Sequence, residues 1–443
     1  MRSRMLVWLV LIIFLLAVTS IVTPGVFPYR YFVDKLDNGL TVITIPMESE
    51  GLVSYYTIVR TGSRDEWEPG HSGFAHLFEH MMFRGTKKFP GNMYDRIMTE
   101  IGADANAYTT DDYTCYHINF SAKDLEKVME LESDRFINLS YSKNVFKTET
   151  GAVYGEYLKG KMSPWFMLEE KLHDLAFDVH TYKHTTIGFE EDIKAMPTMY
   201  EYSLSFFKRY YRPENVVIVV AGDVKREKVM ELVKKYYGHW KPGYVEPKIQ
   251  QEPKQKKERI GEVKYPGKTL PIIAIAYKGD RFDPENKNYV AALVIEELLF
   301  GENSELYKKL VLREQKVEFI YPEFGINRDP SLFTIYTIVK SPKDIEYVKS
   351  EVISALEKLK SSPPDERHLI DVINHMKYSF LMRLDTPSHV AASIARFIAV
   401  TGGIECVDKL YESLEKVRPE DICKAARLYF KPQRRTIVTL RGE

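Results

Sequence analysis

The run HSGFAHLFEHMMFRGT, residues 71–86, decides how this chain is read. Within it His76, Glu79 and His80 stand in the order H-x-x-E-H. Helical geometry gives that spacing a chemical meaning. Residues three and four apart share a face, so both imidazoles and the carboxylate between them point the same way. Two imidazoles one turn apart can grip a single Zn²⁺, with Zn–N bonds of about 2.0–2.1 Å. The neighbouring carboxylate can take a proton from a water that the metal has acidified to a pKa of about 7. Phe74, Leu77, Phe78, Met81, Met82 and Phe83 supply an apolar side to the same helix, and Gly70, Gly73 and Gly85 punctuate its ends. A lone histidine here would most simply be a buried structural residue. Two of them with a glutamate at this spacing reverse that weighting, provided a third ligand lies downstream. Catalytic zinc takes three protein ligands and leaves one position for water. The segment TETGAVYGEYLKG (148–160) offers Glu149 and Glu156, seven residues apart and so on one helical face. The spacing alone leaves the choice between them open.

The 443 residues exceed what one core usually spans, which predicts two or more domains. Lys+Arg and Asp+Glu both total 62, so no global charge argues for a nucleic-acid partner. Cys115, Cys406 and Cys423 contain no C-x-x-C pair, which excludes a cysteine zinc site and a disulfide framework; three buried thiols are expected. Arg2 and Arg4 precede an apolar run from Met5 to Val18, the n- and h-regions of an export signal. Extended to Val22, the run reaches about the 18 residues that a membrane span needs. Residues 1–25 are therefore read as a signal peptide or a signal anchor. The body is expected outside the cytoplasmic membrane, periplasmic or otherwise extracytoplasmic, soluble or tethered through residues 5–22.

Strand signals flank the Asp37-Asn38-Gly39 turn and continue through GLVSYYTIVR (51–60) and NAYTTDDYTCYHINF (106–120). Helical patterns cover 93–104, 122–138, 144–158, 167–177 and 198–210, and a strand runs from Val216 to Ala221. Residues 241–260, rich in proline, lysine and glutamine, read as a linker. Beyond them the pattern repeats. HLFEHMMF (76–83) aligns with LVIEELLF (293–300), and RYYRPENVVIVVAGD (209–223) with LYFKPQRRTIVTLRGE (428–443). The predicted organisation is a first repeat over 26–240, a linker over 241–262 and a second repeat over 263–443. Leu293 stands where the first repeat has His76, and Glu297 where it has His80, so one Zn²⁺ per chain is expected.

With these motifs in place the chain resembles the M16 metallopeptidases, the family of pitrilysin, insulin-degrading enzyme and mitochondrial processing peptidase. The resemblance covers about residues 30–443. It is carried by GSRDEWEPGHSGFAHLFEHMMFRGT (62–86), GADANAYTTDDYTCYHINF (102–120), ETGAVYGE (149–156), HTTIGFEEDIKAM (184–196) and the two Tyr-x-x-Pro strand segments. It implies an α+β fold of two homologous repeats, each a mostly antiparallel sheet covered by helices, facing each other as a clamshell. It implies a zinc endopeptidase acting on peptides or unfolded polypeptides, with Glu79 as general base, Glu156 as third ligand and Glu149 as a carboxylate behind the ligands. A substrate strand would add to the sheet edge beside Asn106 and Ala107. An Arg/Tyr pair from the second repeat would bind substrate and oxyanion. Arg313 and Tyr321 are the candidates, eight residues apart where the family pattern has seven, and without its Gly-Leu before the tyrosine. The resemblance also implies partners: a homodimer, or a heterodimer in which a related chain lacking H-x-x-E-H completes the site. A non-catalytic subunit of a processing complex is the alternative.

Overall fold

Runs of β-branched and aromatic residues build two sheets in the computed structural model, which describes residues 25–443. The first contains β1 (Phe32–Lys35), β2 (Thr41–Pro46), β3 (Leu52–Val59), β4 (Asp104–Thr109), β5 (Thr114–Ser121) and β6 (Val216–Gly222). They lie in the order β1-β2-β6-β3-β5-β4. The second contains β7 (Arg259–Tyr265), β8 (Ile272–Lys278), β9 (Val317–Phe324), β10 (Leu332–Val339) and β11 (Arg435–Gly442), in the order β7-β11-β8-β10-β9. Apart from β1, the orders superimpose strand for strand. In each sheet one pair is parallel, β2 with β6 and β7 with β11, and the remaining pairings are antiparallel. The fold is the expected one: α+β, two similar halves, each a mostly antiparallel sheet covered by helices, facing one another.

The central strand β6 (VVIVVAG) is apolar throughout because both of its faces are covered. In β6, Ile218 and Val220 face the helices of their own half, while Val217, Val219 and Ala221 face residues of the other. The cover on that second face is the helix Pro387–Thr401, which packs on β3 and β6 and buries Val390, Ile394 and Ile398. Arg60 fastens its end, donating from Nε to the Ala399 carbonyl at 2.8 Å and from Nη2 to the Val400 carbonyl at 3.2 Å. The exchange is reciprocal. The first half's helix Pro164–Ala176 packs on β7, β8 and β11, burying Leu168, Leu172 and Ala176 against Ile272, Ala274, Val438 and Leu440. Each fully buried aliphatic side chain contributes about 1.5–3 kcal/mol, so each half is stabilised by a helix that the other lends it. A polar seam runs alongside: Arg64 Nε meets Asp329 Oδ2 at 2.5 Å, and His180 Nε2 lies 3.1 Å from the same oxygen. Burial opposes ionisation of Asp329, but its bonds to His180 and Arg64 outweigh it and hold the carboxyl far below the usual range.

Three boundaries differ from the sequence reading. β7 begins at Arg259, inside the segment assigned to the linker, so the second half starts earlier than residue 263. As an edge strand with one open side, β7 alternates half-buried and exposed residues, which gives it a linker's composition. The rest of that segment is pinned down: Glu252 accepts the backbone N–H groups of Asp178, Val179 and His180, and the Gln255 amide donates to the Arg435 carbonyl. At the other end, residues 26–31 pack on the second half, where Phe27 N donates to Asp408 Oδ1 at 2.9 Å and Tyr29 Oη to the Leu384 carbonyl at 2.5 Å. The helix expected from 167 starts at Pro164, a residue well suited to a first turn. All three cysteines are free and buried. The proposed signal or tether at 5–22 lies outside the described residues, among which no single helix is long and apolar enough to cross a membrane.

Candidate metal centre

The H-x-x-E-H run forms the helix Phe74–Met81. Its start is fixed by Gly73, whose φ of +88° favours glycine and whose Cβ position would lie 2.5 Å from the Ile187 carbonyl oxygen. The buried Glu66 carboxylate caps the first turn, accepting the N–H groups of Gly73 at 2.7 Å and Ala75 at 2.6 Å. Phe74, Leu77, Phe78 and Met81 are buried on the core side, where Phe78 stacks on Phe206 and the Phe78 carbonyl accepts a bond from Tyr116 Oη at 3.0 Å. That packing leaves His76, Glu79 and His80 on the open face.

Both glutamates offered by the sequence lie on the helix Lys143–Gly160, beside the motif helix. Glu156 Oε2 is 3.4 Å from His76 Nε2 and 3.5 Å from His80 Nε2. A tetrahedral ion with bonds of about 2.0–2.2 Å holds its ligands about 3.3–3.6 Å apart, so these three atoms fit one zinc. Glu149 takes a different place. Its Oε2 is 3.7 Å from His80 Nδ1, behind the ring, and its Oε1 accepts Arg84 Nε at 2.9 Å. A carboxylate there orients a ligating imidazole. Burial, with His80 nearby, pushes the His76 imidazole down to about 4, so it is neutral, as a ligand must be.

Glu79 is partly buried, and burial raises its carboxyl; a hydrogen bond from Thr109 Oγ1 to Oε2, at 2.7 Å, works the other way. Thr109 ends β4, the last strand of its sheet, whose outer edge is unpaired among the described residues. Asn106 and Ala107 lie in the middle of that strand, opposite His117 and Tyr116 of β5, and Asn106 Oδ1 accepts the N–H of Ala107 at 2.8 Å. Next to the cluster lies a cleft of about 490 Å³ shared by both halves; His76, Glu156, Phe166 and Glu169 line it from the first half, Tyr336 and Arg396 from the second.

Arg313 and Tyr321 do not join this cluster. Tyr321 lies on β9, opposite Tyr336, and lines a second cavity of about 1100 Å³ with Leu293, Glu296 and Glu297, which adjoins the cleft at Glu169 and Tyr336. Arg313 ends the π-helical turn Lys308–Arg313 and makes an exposed contact with Glu305 at 3.3 Å. The reason is topological: β9 occupies in the second sheet the place of β4 in the first, so it flanks the second half's own counterpart of the motif helix. Thr109 and Glu66, in turn, escaped the sequence reading. Each acts across a gap in the chain that no local pattern marks.

The chain is similar to known proteins over most of its length. The family model described as "Insulinase (Peptidase family M16)" matches residues 42–189, and the one described as "Peptidase M16 inactive domain" matches residues 200–376. The chain is 30% identical over 412 residues to the zinc protease PqqE of Helicobacter pylori, covering 92% of this chain and 91% of that protein. The mitochondrial-processing peptidase subunit beta of Saccharomyces cerevisiae is 24% identical over 417 residues, covering 90% and 88%. The crystal structure of a protease from Helicobacter pylori superimposes with a TM-score of 0.87 at 29% identity, covering 93% of this chain and 99% of that one.

Proposed function

We propose that this chain, which belongs to the M16 peptidase family, is a zinc-dependent endopeptidase hydrolysing peptides or unfolded polypeptides. The observation that carries the reading is the convergence of His76 Nε2, His80 Nε2 and Glu156 Oε2 beside the Glu79 carboxylate. A zinc ion bound there supplies a Lewis acid for the scissile carbonyl and a water of lowered pKa. Glu79 takes the proton of the attacking water and passes it to the amide nitrogen as the C–N bond breaks. Glu149, anchored by Arg84, keeps the His80 ring in its ligating orientation. The free edge of β4 bonds an extended backbone past Asn106 and Ala107, which favours unfolded substrates. The apolar run at 5–22 supports export, and fractionation of expressing cells tests it.

The test is bound zinc together with cleavage of a quenched, unstructured peptide. Wild-type chain should hold one zinc and cleave. Glu79→Gln should keep the zinc and lose cleavage, and His80→Ala should lose the zinc itself. Zinc-free wild-type protein refutes the reading.

One observation favours a two-chain form of the enzyme. Arg313 and Tyr321 are missing from the cleft beside His76, where Tyr336 and Arg396 are the second half's donors, so that particular pair could reach the cluster only from another chain. A second copy of this chain, or a related chain without H-x-x-E-H, would supply it. The similarity to a protein named as a subunit is in keeping with this. Mixing inactive Glu79→Gln chains with inactive Tyr321→Phe chains should restore activity if the pair acts in trans; inactive mixtures exclude it.

A further inference from the structure

We propose that Thr109 is a positioning residue for Glu79, tying the general base to the strand that receives the substrate. The proposal rests on the reading of Glu79 as base and of β4 as the docking edge, and it adds a residue and a function to that reading.

The geometry is specific. Thr109 Oγ1 donates to Glu79 Oε2 at 2.7 Å, and the Thr109 backbone also bonds this carboxylate. The side-chain bond fixes Oε2. The bond joins two elements that otherwise meet through packing, the motif helix and β4. Thr109 is the last residue of β4, paired across the ladder with Thr114, so its backbone is held by the sheet on one side. A peptide added to the other side of β4 would take its register from the same backbone. The base and the scissile bond would then be located by a single element. Misplacement of a reacting group by about 1 Å can cost about a hundredfold in rate, so a tether of this kind acts on the chemical step.

The second half provides an internal control. Glu296 occupies the position of Glu79, and Phe324, the last residue of β9, occupies that of Thr109. There the glutamate meets the backbone of Phe324, whose side chain carries no hydroxyl. The backbone contact is thus common to both halves and belongs to the fold. The hydroxyl is found in the half that carries the histidines.

The experiment compares wild-type, Thr109→Val, Thr109→Ser and Glu79→Gln chains for zinc content, fold by circular dichroism, and kcat and KM on one unstructured peptide. Valine keeps the shape of threonine and removes the donor; serine restores it. The expected result for Thr109→Val is native zinc and fold, KM within about twofold of wild type, and kcat lower by about tenfold to a hundredfold. Thr109→Ser should recover most of kcat. The proposal is overturned if Thr109→Val keeps kcat within about twofold, if its loss is in KM alone, if it loses zinc or fold, or if serine fails to rescue. Glu79→Gln separates the two levels. If it cleaves like wild type, the general-base reading itself falls; if it is inactive while Thr109→Val is normal, the positioning claim alone falls.

Discussion

The two halves of the molecule share a sheet order and a helix that follows the third strand of one sheet and the second of the other, yet only one of those helices carries the candidate histidine ligands. Where the first half has His76 and His80, the second has Leu293 and Glu297, which line a cavity of their own. Its Glu296 survives at the position of Glu79. Burial, reinforced by Glu323 and Glu297 and opposed by Arg396, pushes that carboxyl up to about 8. The second core stays fully packed all the same: Val290, Ala291, Ala292, Val294 and Ile295 on the counterpart helix are completely buried. The comparison teaches that this fold is held by the covered faces of strands and helices. His76 and His80 sit on the face of their helix that packing does not use, and the second half keeps the architecture without them.

The largest effect expected from testing that contrast is catalytic. Glu79→Gln should lower kcat/KM by at least about a hundredfold, while Glu296→Gln should leave it within about twofold; equal losses would make the halves functionally alike and break the comparison. Next comes the metal. His76→Leu and His80→Glu together give the motif helix the residues of its counterpart and should lower bound zinc from one per chain to none by elemental analysis with the fold intact. A folded double variant that keeps its zinc would break the contrast. The exchanged helices give a stability test: Leu172→Ala and Ile394→Ala each remove a fully buried side chain and should cost about 2–5 kcal/mol. Since each helix covers the other half's sheet, both should shift one shared denaturation transition; movement of a single transition out of two would show that the halves fold independently. The smallest effect is in the pH dependence. Folded Glu296 titrates at about 8 against 4.5 for the free side chain. Between those values the folded chain keeps a proton that the unfolded chain has released, so stability falls as pH rises through that window. Glu296→Gln should lack this component, its melting temperature gaining on wild type by about one to three degrees from pH 5 to pH 8. A constant difference across the range would place the Glu296 titration elsewhere.

Much of the site was legible because its chemistry is local. His76, Glu79 and His80 lie within one helical turn and a half, and spacing alone puts them on a common face. Glu149 and Glu156 were equally legible and equally plausible, since residues seven apart share a face; telling them apart takes the tilt of one helix against another. Thr109 and Glu66 act over 30 residues and 7 to 9 residues respectively, through bonds that leave no periodic trace. The repeat was visible as well, but the partner of each covering helix was not. The apolar faces of Pro164–Ala176 and Pro387–Thr401 announce burial without saying against which sheet. Arg313 and Tyr321 were located by pattern, but Arg313 ends an exposed π-helical turn and Tyr321 lines the neighbouring cavity, so neither lines the cleft beside His76.

The traded helices bear on how such a chain could arise. A single half of roughly 210 residues, made by itself, would leave one sheet face bare and one helix with nothing to cover. Two identical copies would satisfy each other by the same trade. Joined end to end, they make one molecule in which each half is needed for its helix, whatever its side chains hold. The half with Leu293 and Glu297 in place of the histidines still covers the other's sheet.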